Sequence, residues 1–297
     1  MTAARKIKRS LAAWLPLLAL PALAAWLTLS LPAWVIAWSL AVAIYSGMKW
    51  LTFARSRSAR AATWTKCFLY LFLWPGMDAH AFFQDRPCRL PGSYEWSCAL
   101  AKSLWGLALI VGLFPLLLNE QPLLAAWCGL VGIALVLLFG LTHLASVAWR
   151  TYGRLALPIM NRPLAATSLG DFWSNRWNLA FRDVVRRFVF QPLLARLDLP
   201  KATLAVFLVS GIVHDLVMSL PAKAGLGRPT LYFLIQGLAV LFERSRAGVR
   251  LGLGPGMKGR LFAAAIVLLP LALLFHRAFL ENIIVPTLRA ITLPGNF

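Results

Sequence analysis

The sequence predicts an all-α protein: a polytopic transmembrane helical bundle of about seven spans, with one re-entrant segment and one interfacial amphipathic helix, in a single integral-membrane domain over residues 1–297. Three observations predict it. Of the 297 residues, 60% are hydrophobic and 13% charged, and the mean hydropathy is +0.72, well beyond what a water-soluble domain of this length carries. Apolar runs long enough to cross a bilayer recur along the chain. The basic residues sort by side, as the positive-inside bias requires.

The first run, Leu11–Leu31, follows the cluster Arg5, Lys6, Lys8 and Arg9 and contains Ala22-Leu23-Ala24, which imitates a signal-cleavage site. It exceeds the roughly 7–15 apolar residues of a secretory signal, and a second run follows at once, so a retained first helix is expected. Ala33–Met48 spans with less margin. Cys67–Met77 is only eleven residues long and stops at Trp74-Pro75-Gly76, which suits a re-entrant or interfacial segment better than a crossing. Leu104–Leu118 is a short span and Pro122–Trp149 a long one, and Ala202–Leu220, Thr230–Phe242 and Leu261–Leu280 complete the set.

A formal net charge of +20 would suit a nucleic-acid binder, but the positions of the charges point to a lipid bilayer as partner and to no nucleic acid. With a cytoplasmic N-terminus and a re-entrant 67–77 segment, 26 of the 30 Lys and Arg fall in cytoplasmic stretches: 1–10, 49–66, 86–102, 150–201 and 244–260. Lys223, Arg228, Arg277 and Arg289 fall on or toward the other side with Glu120 and Glu281. A full crossing by residues 67–77 would break the alternation from Arg86 onward. The alanine- and arginine-rich composition points to a GC-rich bacterial genome, hence to a bacterial cytoplasmic membrane. Cys67 and Cys128 sit in apolar runs as small hydrophobes, while Cys88 and Cys98 flank a loop that the charge rule places inside, away from oxidising conditions. No zinc-ligand spacing, internal repeat, glycine-rich phosphate loop or soluble domain is found, so no bound metal is expected.

Two polar insertions stand out, because ionisable groups at membrane depth are costly. In "VFLVSGIVHDLVMSL", His214 and Asp215 lie midway along an apolar span, with Ser210 one helical turn before the histidine and the small Ser210-Gly211 pair allowing close approach. Asp215 has two readings, as the carboxylate that orients the imidazole or as the partner of an arginine elsewhere. The second insertion is "SLGDFWSNRWNLAFRDVVRRFVFQPLL", residues 168–194. From about Trp177 to Gln191 it reads as an interfacial helix ended by Pro192, with Phe181, Val184, Val185, Phe188 and Val189 on one side and Arg182, Asp183, Arg186 and Arg187 on the other. Asp183 and Arg187 have i, i+4 spacing for a pair. The arginines suit either anionic head groups or the phosphates of a nucleotide-bearing co-substrate. Neither use accounts for Asp171, Trp173, Arg176, Trp177 and Asn178. Among the other histidines, His143 reads as a packing or snorkelling group, His276 as one that reaches the interface, and His80 as solvated; Asp78 follows the re-entrant turn and can face the bundle interior.

"DFWSNRWN" resembles the D-F-W-x-x-R-W-N signature of the membrane-bound O-acyltransferases, in particular the wax synthase-like branch. "RRFVFQPL", "VSGIVHD" and "LYLFLWPGMDA" are similar to further motifs of that branch, in the expected order, with His214 lying 36 positions after Asn178. Ser174, Asn175, Phe190 and Asp215 depart from its commonest residues. The resemblance implies an acyltransferase that takes its acyl group from acyl-CoA as co-substrate, with no permanently bound cofactor. It makes His214 the catalytic histidine and Asn178 its polar partner, and gives Asp171, Trp173, Arg176 and Trp177 to the cytoplasmic side of the tunnel. Arg182, Arg186, Arg187, Ser210, Asp215 and Asp78 join them as candidate substrate-binding residues.

The residue chemistry agrees. Acyl transfer needs a base for the attacking hydroxyl, which neutral histidine supplies near pH 7, and a donor for the developing oxyanion, which a carboxamide supplies. The leading expectation is transfer to a lipophilic alcohol, as in wax- or sterol-ester formation. The alternatives are O-acetylation of a glycan or small natural product and, from another class, a proton-coupled transporter using His214 and Asp215.

Overall fold

The computed structural model describes residues 3–84 and 88–293, with side chains from Leu11 onward, so the side chains of Arg5, Lys6, Lys8, Arg9 and Arg86 lie outside the described residues. Among these residues the fold is helical without strands. Ten helices organise it: α1 (Ala3–Thr28), α2 (Ala33–Ala54), α3 (Trp64–Leu73), α4 (Ser93–Leu118), α5 (Pro122–Thr151), α6 (179–194), α7 (Leu199–Ala222), α8 (Arg228–Arg244), α9 (Met257–Leu274) and α10 (277–292). Six are long and apolar enough to cross a membrane: the Leu11–Thr28 part of α1, and α2, α4, α5, α7 and α9. The seventh expected span is α8, whose 17 residues rise about 25 Å. Exposed leucines along α1, α4, α7 and α9 form the apolar outer surface that a bilayer would cover.

The re-entrant candidate forms as α3, too short to cross at ten residues. Its last turn is wide, and the chain leaves it extended at Trp74. Lys49, counted from sequence among the cytoplasmic bases, instead lies buried in α2. Its ammonium donates to the carbonyls of Trp74 (2.6 Å) and Gly76 (2.5 Å) and sits 3.4 Å from the centre of the Tyr70 ring. A broken helix end leaves carbonyls without partners, and this lysine supplies them.

The chain departs from expectation after α9. The run Leu261–Leu280 is not one span: it breaks at Leu269-Pro270, ends at Leu274, and a new helix, α10, begins three residues later. His276 does not reach the interface. It is 2% exposed, and its Nδ1 accepts from the Phe279 N–H as the cap of α10, while Ser219 Oγ lies 3.2 Å from Nε2. The α10 residues Leu280, Ile283, Ile284 and Leu288 share the main core with Phe114 of α4, Ala125 and Ala126 of α5, and Phe207, Tyr232 and Phe233 of α7 and α8.

Two local expectations for α6 also change. Pro192 does not end the helix, which continues to Leu194, because Gln191 N–H bonds five residues back to Arg186 and the widened turn clears the proline ring. The same widening separates Asp183 from Arg187: Asp183 pairs with Arg182 at 2.8 Å, and Arg187 donates to the carbonyl of Arg55 at 3.1 Å. All four cysteines are free.

Candidate active site

Helix α7 fixes the direction in which His214 points. Leu208, Ile212, Leu216 and Leu220 form its exposed stripe, and at 100° per residue His214 falls on the opposite side, toward the bundle interior. The side chain is only partly buried. Its Nδ1 lies 2.7 Å from the carbonyl oxygen of Ser210. A carbonyl can only accept, so Nδ1 carries the proton and, in the neutral ring, Nε2 keeps its lone pair. The Phe233 ring of α8 covers one side of the imidazole, with centroids 4.5 Å apart. Helices α7 and α8 come this close because Gly211 faces Thr230: an added Cβ would stand 2.5 Å from the Thr230 Cα.

Asp215 turns away from the imidazole. Its carboxylate accepts from the Gly227 N–H (2.8 Å), the Thr230 N–H (3.1 Å) and the Thr230 hydroxyl (2.5 Å), holding the start of α8. Ser210 is likewise engaged within α7, its hydroxyl donating to the Val206 carbonyl.

The 168–178 segment is braced from three directions. Glu243 of α8 accepts from the N–H groups of Leu169 (2.6 Å) and Gly170 (3.1 Å). Asp171 accepts from Arg176 Nε (2.5 Å), Asn175 Nδ2 (3.1 Å) and the Thr167 N–H (3.1 Å). Burial acts to raise the Asp171 carboxyl, but Arg176, Thr167 and Asn175 together outweigh it and leave the group below the usual carboxylate range. The third brace is the irregular stretch 159–162, where Asn161 N–H donates to the Arg176 carbonyl and the Ile159 carbonyl accepts from Leu179 N–H. Asp171 and Arg176 thus serve each other and the loop.

This bracing holds Asn178 at φ +40°, in the left-handed region that asparagine tolerates better than most residues. Its Oδ1 accepts from the Phe181 N–H at 3.1 Å, capping α6. The cap fixes the amide orientation, since only the oxygen can accept, and leaves Nδ2 outside the cap. No hydrogen bond joins Asn178 to His214 among the described residues. They are linked by a chain of rings: Trp177 on Phe172 (5.5 Å), Phe172 on Trp173 (5.0 Å), Trp173 on Phe233 (5.7 Å), and Phe233 on His214.

Two cavities flank α6. One of about 340 Å³ has Arg182, Arg186, Arg244, Ser174 and Asn175 as its polar part and Trp173, Val185, Phe190, Val206, Phe207 and Val240 as its apolar part. The other, about 230 Å³, lies against Thr52, Met77, Asp78, Asp183, Arg186, Arg187 and Gln191. Arg186 lines both. Arg182 donates to the Ser174 carbonyl and pairs with Asp183, yet its buried Nε–H has no acceptor. Asp78 caps the short helix after the re-entrant turn, accepting from Ala81 N–H at 3.0 Å, and still faces the smaller cavity. Burial raises the Asp183 carboxyl, with Arg182 opposing and Asp78 adding to the rise. Neither His214 nor Asn178 lines these cavities; the aromatic wall of Trp173 and Phe207 stands between the larger one and Phe233.

Sequence reasoning missed Lys49, Phe207, Phe233, Gln236, Glu243 and Arg244. The legible signal was a glutamine inside the apolar run Thr230–Phe242 and a Glu-Arg pair at its end.

A polytopic helical membrane protein with an inward-facing, tautomer-fixed histidine and, across an aromatic wall from it, an arginine-lined cavity is the class that this fold and site define. Within it, residues 156–236, which hold Asn178 and His214, match the membrane-bound O-acyltransferase family. The chain is 32% identical over 111 residues to the long-chain-alcohol O-fatty-acyltransferase of Simmondsia chinensis, covering 33% of this chain and 31% of that protein. It is 35% identical over 97 residues to the acyl-CoA–sterol O-acyltransferase 1 of Arabidopsis thaliana, covering 29% of this chain and 27% of the relative. The matched stretches span less than a third of the length of either relative. The resemblance drawn from the motifs is thus to the membrane-bound O-acyltransferases, over the segment that carries both candidate catalytic residues.

Proposed function

We propose that the chain is an O-acyltransferase that moves an acyl group from acyl-CoA to the hydroxyl of a lipophilic alcohol, in wax- or sterol-ester formation. The observation that carries this reading is the His214 ring, held with Nδ1 protonated and Nε2 free, on the inward side of a membrane helix. The names of the two relatives, which transfer acyl groups to long-chain alcohols and to sterols, agree with it.

In this mechanism Nε2 takes the proton of the alcohol as its oxygen attacks the thioester carbonyl. Negative charge moves onto the carbonyl oxygen, for which Asn178 Nδ2, not used by the helix cap, is the proposed donor. Collapse of the tetrahedral intermediate breaks the C–S bond, and the imidazolium returns its proton to the leaving thiolate, giving ester and free CoA thiol. The apolar surroundings exclude the water that would otherwise hydrolyse the thioester. Arg182, with its unsatisfied buried Nε–H, and Arg186 and Arg244 at the same cavity take the phosphates of the donor. The 150–201 stretch then faces the cytoplasm with the N-terminus, where acyl-CoA is available, and the host is the bacterial cytoplasmic membrane.

The test is direct. Detergent-purified protein given labelled acyl-CoA and a panel of long-chain alcohols and sterols forms a neutral ester, and His214→Ala abolishes it. Proton-coupled flux in liposomes without ester formation, stopped by His214→Ala, would replace this reading with a transporter.

A further inference from the structure

The seam between α4 and α5 carries two polar pairs that the mechanism above does not use. Arg150 pairs with Glu95, and Lys102 Nζ lies 3.2 Å from His143 Nδ1. The pairs share one antiparallel register, since Lys102 follows Glu95 by seven positions and His143 precedes Arg150 by seven. Seven positions are two turns, a rise of about 10 Å, so the one carboxylate of the seam serves Arg150. Among the described residues no carboxylate bonds Lys102. A lysine only donates, so His143 accepts as a neutral ring and holds the ammonium in place without offsetting its charge. The seam is thus short of acceptors: two ammonium hydrogens and the buried Nε–H of Arg150 have none among the described residues. An excess positive charge within a spanning helix is costly unless an anion meets it.

The Lys102–His143 pair is turned away from the lipid-facing flanks. Exposed Leu104 lies two positions from Lys102 and exposed Leu141 two positions from His143, each about 160° around its helix. Phe139, one turn before His143 on the same face of α5, meets the Trp177 ring with centroids 6.0 Å apart. Lys102 and His143, both only partly buried, are therefore placed on the α5 side of the segment that carries Asn178. The arginine-lined cavity lies instead against α7 and α8.

We propose that Lys102, positioned by His143, anchors a second phosphate-binding subsite on the α5 side of the Asn178 segment. A phosphate oxygen accepts from the ammonium, and its charge meets the one that Glu95 leaves uncompensated. The inward placement favours the phosphate of a ligand that enters the bundle over that of a lipid headgroup. In the acyltransferase reading, on which this assignment of the ligand rests, it is acyl-CoA, whose diphosphate and ribose phosphate are two separate anions for two separate cationic sites.

The experiment gives the full chain in detergent one long-chain alcohol and either acyl-CoA or the acyl-pantetheine of the same acyl chain, which keeps the thioester and has no phosphate. Lys102→Gln keeps an N–H donor for His143 and removes the charge. It should lower the acyl-CoA to acyl-pantetheine ratio of kcat/KM about tenfold, the scale of one charge-assisted hydrogen bond, and Lys102→Arg should restore most of that ratio. A second readout needs no turnover: inorganic diphosphate should raise the unfolding temperature of the parent, and raise it less in Lys102→Gln. Vesicles of phosphatidylglycerol or phosphatidylcholine separate the two sources of phosphate. Stabilisation by phosphatidylglycerol that Lys102→Gln removes, with the donor ratio unchanged, would give the subsite to a lipid headgroup and overturn its assignment to the donor. An unchanged ratio, with equal responses of parent and variant to diphosphate and to phosphatidylglycerol, overturns the subsite and leaves the acyltransferase reading intact. If no acyl-CoA yields ester, that reading falls, and the two unfolding measurements decide the subsite alone. Lys102→Met stands in should Lys102→Gln not fold.

Discussion

Asn178 does three things at once, and the usual alanine substitution would confuse them. It occupies a left-handed backbone position, caps α6 through Oδ1, and presents Nδ2 as a donor. Asn178→Asp keeps an oxygen for the Phe181 N–H and replaces the amide donor with a charged carboxylate, which opposes rather than meets a developing oxyanion. We expect it to keep the thermal stability of the parent within about 1 kcal/mol and to lose about 10²–10³-fold in kcat, as removal of an oxyanion donor does. Asn178→Ala should additionally lose about 1–2 kcal/mol through the missing cap, and Asn178→Gly less, since glycine takes the left-handed conformation freely. Thermal unfolding and steady-state ester formation separate these effects. If Asn178→Asp retained full kcat, the oxyanion role would be lost. At the same scale, the pairing of Asp215 shows how sequence adjacency can mislead. The residue beside the catalytic candidate spends every hydrogen bond on the next helix.

The elements around the site are held by polar groups buried at helix ends. Glu243 closes the start of the 169–171 turn, Asp215 the start of α8, and Lys49 the open end of α3. Lys49 is the clearest case: it bonds the carbonyls of Trp74 and Gly76, while the Tyr45 hydroxyl donates to that of Pro75 between them at 3.1 Å. Lys49→Met leaves the Trp74 and Gly76 carbonyls without this donor at membrane depth, and each buried unsatisfied group costs about 1–3 kcal/mol. We expect a lower unfolding temperature in detergent and faster proteolysis between residues 73 and 79; an unchanged melting curve would show that the break is held otherwise. Because Met77 and Asp78 line the smaller cavity immediately after this turn, the loss should also weaken whatever that cavity contributes to substrate binding.

For the whole molecule, α10 makes the C-terminal part of the chain a core element. It fills the space between α2, α4 and α5, with Trp38 of α2 donating to Thr287 at 3.0 Å and Leu288 fully buried. A chain ended after Phe275 should therefore fail to accumulate as monodisperse protein, since it would expose the buried faces of three spans; normal yield and melting behaviour of that truncation would contradict this packing. In the bundle as a whole, the two cavities described and the imidazole are separated by aromatic side chains. The cavities flank α6, the imidazole lies on the other side of an aromatic wall, and the large residues of that wall belong to three different elements.

What the sequence determined by itself was the solvent and the candidate site residues. Apolar runs and the sorting of charge define a helical membrane bundle, because length and polarity must match a fixed hydrocarbon thickness whatever the packing. His214 and Asn178 were legible because a polar group inside an apolar run, or a dense polar motif beside one, is costly without a use. Tertiary structure alone decided where their neighbours turn. The burial of His276, the break at Pro270, the course of α10, the diversion of Asp215 to α8 and of Arg187 to Arg55, and the bonds of Lys49 and Gln236 all depend on contacts between residues distant in sequence. Helical periodicity gives the face on which a side chain lies but not the partner that face will meet, and in a bundle of nearly uniform apolar helices it is the few close approaches, such as Gly211 on Thr230 and Phe207 on Gly237, that fix those partners.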